Sequence, residues 1–261
     1  MTIKAAYAHA IKSQKLVSDA EQKRVVEKLE KLQQNLLAHR RLSVRIKKSL
    51  RLGSDHSVPQ GIYLWGGVGR GKTLLMDLFI DSLEIKTKKR LHFHRMMSYV
   101  HRQLKSVRGA EDPIDKVAAR IAKETSLLCF DEFYVSDIGD AMMLGKLLDG
   151  LFSRGITLIA TSNSHPTDLY KDGLQRQKFL PAIESLQAHT EVIKLDAGID
   201  YRLRLFEEAG TYFLSTDGRV DQKLLHYFGE IASGEVLEKQ RIQILGREIQ
   251  SVYCAKGIIW F

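Results

Sequence analysis

Apolar positions along this chain follow two rhythms, and the changes between them mark its elements. Within residues 18–40, Val25, Leu29, Leu32 and Leu36 recur at spacings of four, three and four, the period of a helix with one apolar stripe. Ser18 and Glu21 fit a capping box, which satisfies two N–H groups that a helix start leaves unpaired. The other faces of this helix are charged. It reads as a surface helix packed on a larger body, with a partner-binding helix as the alternative. Residues 41–57 are first basic (Arg41, Arg45, Lys47, Lys48, Arg51) and then polar, through Gly53-Ser54-Asp55-His56-Ser57. This predicts the tail of a helix and then a loop.

From residue 61 short apolar runs alternate with helical patterns. Ile62–Trp65, Arg90–His94, Ser126–Phe130, Ile156–Ala160 and Glu191–Leu195 are predicted strands. Lys72–Leu83, Met96–Val107, Ile114–Lys123, Ile138–Phe152, Thr167–Tyr170 and Phe179–Gln187 are predicted helices. Unbroken apolar strands alternating with helices imply an α/β fold, its parallel sheet covered on both faces. Such sheets bind ligands beyond the carboxyl ends of their strands. Gly66, Asp131 and Asn163 all follow strand ends. Residues 197–261 are less regular. They predict a hairpin from Tyr201–Phe206 and Tyr212–Ser215, a helix over Asp221–Ile231, and strand-like runs at Ile242–Leu245 and Val252–Phe261. The expected organisation is an N-terminal helical extension (1–57), a core (58–196) and a mixed α/β C-terminal part (197–261). The last part is expected to be incomplete, because an apolar run ends at Trp260-Phe261.

Composition adds limits. The 261 residues are 44% hydrophobic, enough to bury a sizeable core. No apolar stretch reaches about 18 residues, so no membrane span is expected. No apolar run precedes a cleavage site near the N-terminus, so no secretory signal is expected. The first residues carry Lys4, Lys12 and Lys15 without acid, but they lack the arginines of a transit peptide. Cys129 and Cys254 make no CxxC and read as reduced thiols of an intracellular protein. The net charge of +9 suits nucleic acid, anionic lipid, an acidic protein or a polyphosphate, and does not choose among them.

The candidate chemistry begins at Gly66-Gly67-Val68-Gly69-Arg70-Gly71-Lys72-Thr73, a complete phosphate-binding loop between a strand and a helix. Its glycines let backbone N–H groups turn toward phosphates. The helix that follows presents its positive end to the same anion. Lys72 is placed to reach the β- and γ-phosphates of ATP, and Thr73 to ligate Mg²⁺. Leu127-Leu128-Cys129-Phe130-Asp131-Glu132 then fits an apolar strand that carries Asp131 to the metal. Glu132 beside it is the candidate base for the attacking water. Asn163, past the next strand, is placed to hold that water or the γ-phosphate. Arg176 is a candidate for stabilising transition-state charge, in its own subunit or a neighbour's. His92 and His94 are predicted to share a strand face near His101, but no carboxylate or cysteine completes a metal site there.

These residues carry a resemblance. Gly61–Leu78 (GIYLWGGVGRGKTLLMDL), Leu91–His101 (LHFHRMMSYVH), Leu128–Met142 (LCFDEFYVSDIGDAM), Ile159–Ile183 (IATSNSHPTDLYKDGLQRQKFLPAI) and Asp196–Arg202 (DAGIDYR) are similar to the AFG-type AAA+ ATPase family. So is the opening from Tyr7 to Leu29, with its Asp19 and Gln22. The resemblance implies a P-loop NTPase (AAA+) core with a five-stranded sheet, Mg²⁺-dependent ATP hydrolysis and action as a homo-oligomer. It also implies sensor-1 for Asn163 and an arginine finger acting in trans for Arg176. The bacterial branch of the family implies a cytoplasmic protein recruited to the division site, with the tubulin-like protein FtsZ as partner. Family members continue past a Trp-Phe pair like Trp260-Phe261, so the helical lid with its sensor-2 arginine is expected to be absent from this chain. Two other readings stay open on the residues alone: a nucleic-acid-dependent, helicase-loader-like ATPase, and a nucleotide-binding scaffold without turnover.

Overall fold

The computed structural model describes residues 2–13, 19–48, 58–107, 109, 111–195, 220–244, 247–256 and 258–261. They belong to two compact units, Met1–Tyr201 and Arg202–Phe261. The first opens with two helices, α1 (Ile3–Lys12) and α2 (Ala20–Lys48). An alternation of strand and helix follows: β1 (Gly61–Trp65), α3 (Lys72–Ser82), β2 (Lys88–His92), α4 (Phe93–Ser106), α5 (Pro113–Glu124), β3 (Leu127–Asp131), α6 (Ile138–Phe152), β4 (Thr157–Ser162), α7 (Leu180–His189) and β5 (Thr190–Lys194). The five strands form one parallel sheet in the order β2-β3-β4-β1-β5.

Side chains of successive strand residues go to opposite faces, and here both faces are apolar. Tyr63, Leu128, Phe130, Leu158 and Ala160 belong to one core with the buried faces of α4, α5, α6 and α7. Ile62, Leu64, Leu127, Cys129 and Ile159 belong to the other, with α1, α2 and α3. The result is three layers, helix on sheet on helix. Each fully buried Leu, Ile or Phe in these cores contributes about 1.5–3 kcal/mol.

Some elements differ from expectation. The apolar pattern does not predict α1, which buries Ile3, Ala6, Tyr7 and Ala10. The expected cap at Ser18 lies outside the described residues. Asp19 caps α2, its Oδ1 accepting from the N–H groups of Glu21 (2.7 Å) and Gln22 (3.2 Å). The second strand ends at His92, not His94, because Phe93, Met96, Met97 and Val100 form a buried stripe at helical spacing and start α4 there. The expected helix at Thr167–Tyr170 is a single 3-10 turn, Pro166–Asp168.

The second unit contains α8 (Val220–Ile231), β6 (Ser233–Glu238), β7 (Arg241–Ile244), β8 (Arg247–Gln250), β9 (Tyr253–Lys256) and β10 (Ile258–Trp260). β10-β9-β6 form one antiparallel sheet and β7-β8 a hairpin. Phe228 of α8 packs against Tyr253 and Trp260. The predicted hairpin at Tyr201–Phe206 and Tyr212–Ser215 lies outside the described residues. Among the described residues, no helix is long and apolar enough to cross a membrane.

Candidate active site

The sheet order explains how distant sequence positions meet. β1 lies between β4 and β5, so the loop after Trp65 starts beside the ends of both. The Gly66 N–H donates to Ser162 O at 3.2 Å. A Cβ on Gly66 would fall 2.2 Å from Leu195 O, so only glycine lets the chain leave the sheet here. The loop turns through Gly67, Val68, Gly69 and Arg70 and enters α3 at Gly71, whose φ is +87°, a conformation that favours glycine. The N–H groups of the first turn of α3 have no helical partners and are donors that an anion could satisfy.

Lys72 opens α3 and is buried. Its Nζ donates to Gly66 O and Gly67 O, each at 2.6 Å, and to Asn163 Oδ1 at 3.0 Å. The ammonium is thus held inside the loop, against the tip of β4. Thr73 follows on the exposed side of the first turn.

Asp131 ends β3 beside His92 of β2. Its carboxylate is gripped by Arg90 of β2, whose Nε donates to Oδ2 at 2.7 Å and Nη2 to Oδ1 at 3.2 Å. Arg90 Nη1 also donates to Asp77 Oδ1 on α3. Burial works against the Arg90 charge, but the hydrogen bonds to Asp131 and Asp77 outweigh it and hold its pKa above the ordinary value. One cation therefore ties the end of β3 to the helix that carries the loop. In the middle of β3, burial pushes the Cys129 thiol up, so this cysteine is a core residue and not a nucleophile.

Glu132 sits just past the strand, exposed, at φ +54°. A non-glycine residue in that region is uncommon and is held there by its surroundings. The holding group is Thr161 of β4: its Oγ1 accepts from the Glu132 N–H (3.3 Å) and its carbonyl from the Phe133 N–H (2.7 Å). Ser162 Oγ donates to Phe133 O at 2.7 Å and accepts from the Ser164 N–H at 3.1 Å. Thr161 and Ser162 thus shape the turn around Glu132, and the next residue, Asn163, meets Lys72.

Of the residues expected from sequence, Gly66–Thr73, Asp131, Glu132 and Asn163 converge on the carboxyl ends of β1, β3 and β4. Arg176 lies in a 3-10 turn (Arg176–Lys178) entered through Gln175 at φ +57°. Its Nη2 donates to Thr167 O at 2.5 Å, and its buried Nε has no hydrogen-bond partner among the described residues. His92 and His94 do come together, rings stacked with centroids 5.6 Å apart, but from a strand end and a helix start. Glu132 Oε2 lies 3.8 Å from His92 Nδ1, too far for a hydrogen bond. Among the described residues no three His, Cys, Asp or Glu form a metal-binding group. Thr73 and Asp131 are hard oxygen donors, the kind Mg²⁺ takes one or two of while keeping waters and substrate phosphates as its other ligands. Sequence reasoning missed Arg90, Asp77, Thr161 and Ser162. The signal for Arg90 was a charged residue in a strand otherwise bound for the sheet.

A glycine-rich loop between β1 and α3 of a parallel sheet, with an acidic pair and an asparagine at neighbouring strand ends, defines a P-loop NTPase fold. Comparison with known proteins narrows this. The chain belongs to the AFG1-like ATPase family, which it matches over residues 1–261. It is 55% identical over 159 residues to cell division protein ZapE of Escherichia coli K12, a match covering 61% of this chain and 42% of that one. It is 42% identical over 205 residues to lactation elevated protein 1 homolog B of Danio rerio, covering 73% of this chain and 41% of that one. The chain thus spans less than half the length of these two relatives. Among solved structures, AMPPCP-bound DnaA of Aquifex aeolicus aligns with a TM-score of 0.48 at 14% identity, over 84% of this chain and 62% of that one.

Proposed function

We propose that this chain hydrolyses ATP with Mg²⁺ and that hydrolysis drives its action on a protein partner. The observation that carries this is the meeting of Lys72 Nζ with Asn163 Oδ1 at 3.0 Å, inside a loop whose carbonyls hold the same ammonium. In this reading the N–H groups of Gly67–Thr73 cradle the phosphates, and Lys72 neutralises the β- and γ-phosphate oxygens. Asn163, at the same point, orients the attacking water or the γ-phosphate. Glu132, exposed at the strand end, accepts that water's proton. Thr73 and Asp131 would hold Mg²⁺, which supplies positive charge to the transferring phosphoryl group. Arg176 donates through Nη2 to Thr167 O and keeps a buried Nε without a partner among the described residues; in this reading it acts on a neighbouring subunit's site in a homo-oligomer.

The partner reading rests on the similarity to ZapE, which is named as a cell division protein. We take the partner to be FtsZ and the setting to be the bacterial cytoplasm, with recruitment to the division site. The test is phosphate release measured against protein concentration, with and without FtsZ polymers. The expected result is a rate per chain that rises with concentration, falls at least about 10-fold in Arg176→Ala, and changes when FtsZ polymers are added. A rate per chain independent of concentration would remove the role in trans, and indifference to FtsZ would remove the partner.

A further inference from the structure

Gln22 occupies an unusual place. It lies on the apolar stripe of α2, one turn before Val25 and Val26, and is fully buried. An apolar side chain would fill that position without desolvating an amide, which costs free energy unless its hydrogen bonds are remade. Here both ends of the carboxamide are used. Nε2 donates to Arg70 O in the phosphate-binding loop at 3.3 Å, and Oε1 accepts from the Tyr7 hydroxyl of α1 at 3.2 Å. Tyr7 is itself buried, and burial pushes its phenol above the ordinary 10.0, so it keeps the proton it donates. The α2 backbone at Gln22 is fixed in turn by the Asp19 cap.

The contact point matters. In a planar trans peptide the carbonyl of one residue and the N–H of the next point in opposite directions. Holding Arg70 O toward α2 therefore aims the Gly71 N–H away from α2, to the other side of the loop. Gly71 sits between the helix start and Gln22, and a Cβ there would lie 2.9 Å from Gln22 Nε2. A side chain at that position would push the Gln22 carboxamide aside, and the φ of +87° favours glycine there. The helices bearing Tyr7 and Gln22 share a core with Leu75, Met76 and Phe79 of α3, so the strut has a rigid base.

We propose that Gln22, braced by Tyr7, is a positioning residue that fixes the peptide plane between Arg70 and Gly71 and so sets the phosphate affinity of the loop. The N-terminal helices then belong to the nucleotide site. This rests on the reading that the loop binds nucleotide phosphates, and the experiment separates the two. Binding of a fluorescent ATP analogue, KM and kcat for ATP, and thermal unfolding are measured for wild type, Lys72→Ala, Gln22→Met and Tyr7→Phe. Loss of one hydrogen bond is expected to raise Kd and KM about fivefold in Gln22→Met, with a smaller change in kcat. Tyr7→Phe is expected to move Kd and KM the same way by about threefold. A purely structural role would lower the unfolding temperature and leave Kd and KM alone. Unchanged Kd and KM in both variants would overturn the proposal while nucleotide binding itself stood. If Gln22→Met does not fold, an unchanged Kd in folded Tyr7→Phe overturns it alone. Absence of nucleotide binding in wild type would remove the reading of the loop and this inference with it.

Discussion

Tyr63 shows how a single residue ties the core to the site. Its ring packs edge-on against Phe133, two residues beyond Asp131, and its hydroxyl donates to Ser164 O at 3.1 Å, next to Asn163. Burial pushes its phenol above the ordinary 10.0. The sign follows directly. Below pH 10 or so both folded and unfolded chains keep the proton, and the contribution to stability is complete. Above it the unfolded chain ionises while the folded one resists, so stability falls as pH rises. Buried Cys129, raised from 9.0, acts in the same direction. The urea midpoint is therefore expected to fall between roughly pH 9 and pH 11, and more shallowly in Tyr63→Phe than in wild type. Equal slopes would show that Tyr63 is not the group responsible. At this scale the strand-end positions of the loop residues, Asp131, Glu132 and Asn163 were legible in the sequence, because each follows closely on an apolar run that reads as a strand. Arg90, Asp77 and Gln22 were not assigned roles there, because their partners are fixed only by strand order and helix packing.

At the scale of elements, what was legible followed the strength of the apolar signal. β3 and β4 are buried at every position and read as strands at once. β2, Lys88-Lys89-Arg90-Leu91-His92, lies at the sheet edge and is only half-buried, so its charged residues obscured its start. α1 was hidden because two of its four buried residues are alanines, which give a weak periodic signal. α6 illustrates a boundary set by one side chain. Asp137 Oδ1 accepts from the N–H groups of Gly139 (2.7 Å) and Asp140 (3.1 Å), satisfying donors that the first turn leaves open. Asp137→Ala is expected to cost about 1 kcal/mol in urea denaturation while leaving KM for ATP unchanged. A cost below about 0.3 kcal/mol would show that another group supplies the cap.

At the scale of the molecule, the parallel order β2-β3-β4-β1-β5 assembles the site. It places β1 and β4 side by side, so Lys72 reaches Asn163. It places β2 beside β3, so Arg90 reaches Asp131. The alternation of elements foretold a parallel sheet but not this order, which depends on how helices of both layers pack. In the proposed function these strand ends hydrolyse ATP, with Lys72 binding phosphate and Glu132 activating water. The most direct measurement is phosphate release by wild type, Lys72→Ala and Glu132→Gln, with nucleotide binding measured in parallel. Turnover is expected in wild type, with loss of both binding and turnover in Lys72→Ala, and retained binding with turnover reduced about 100-fold or more in Glu132→Gln. Phosphate release by Lys72→Ala at the wild-type rate would contradict this function.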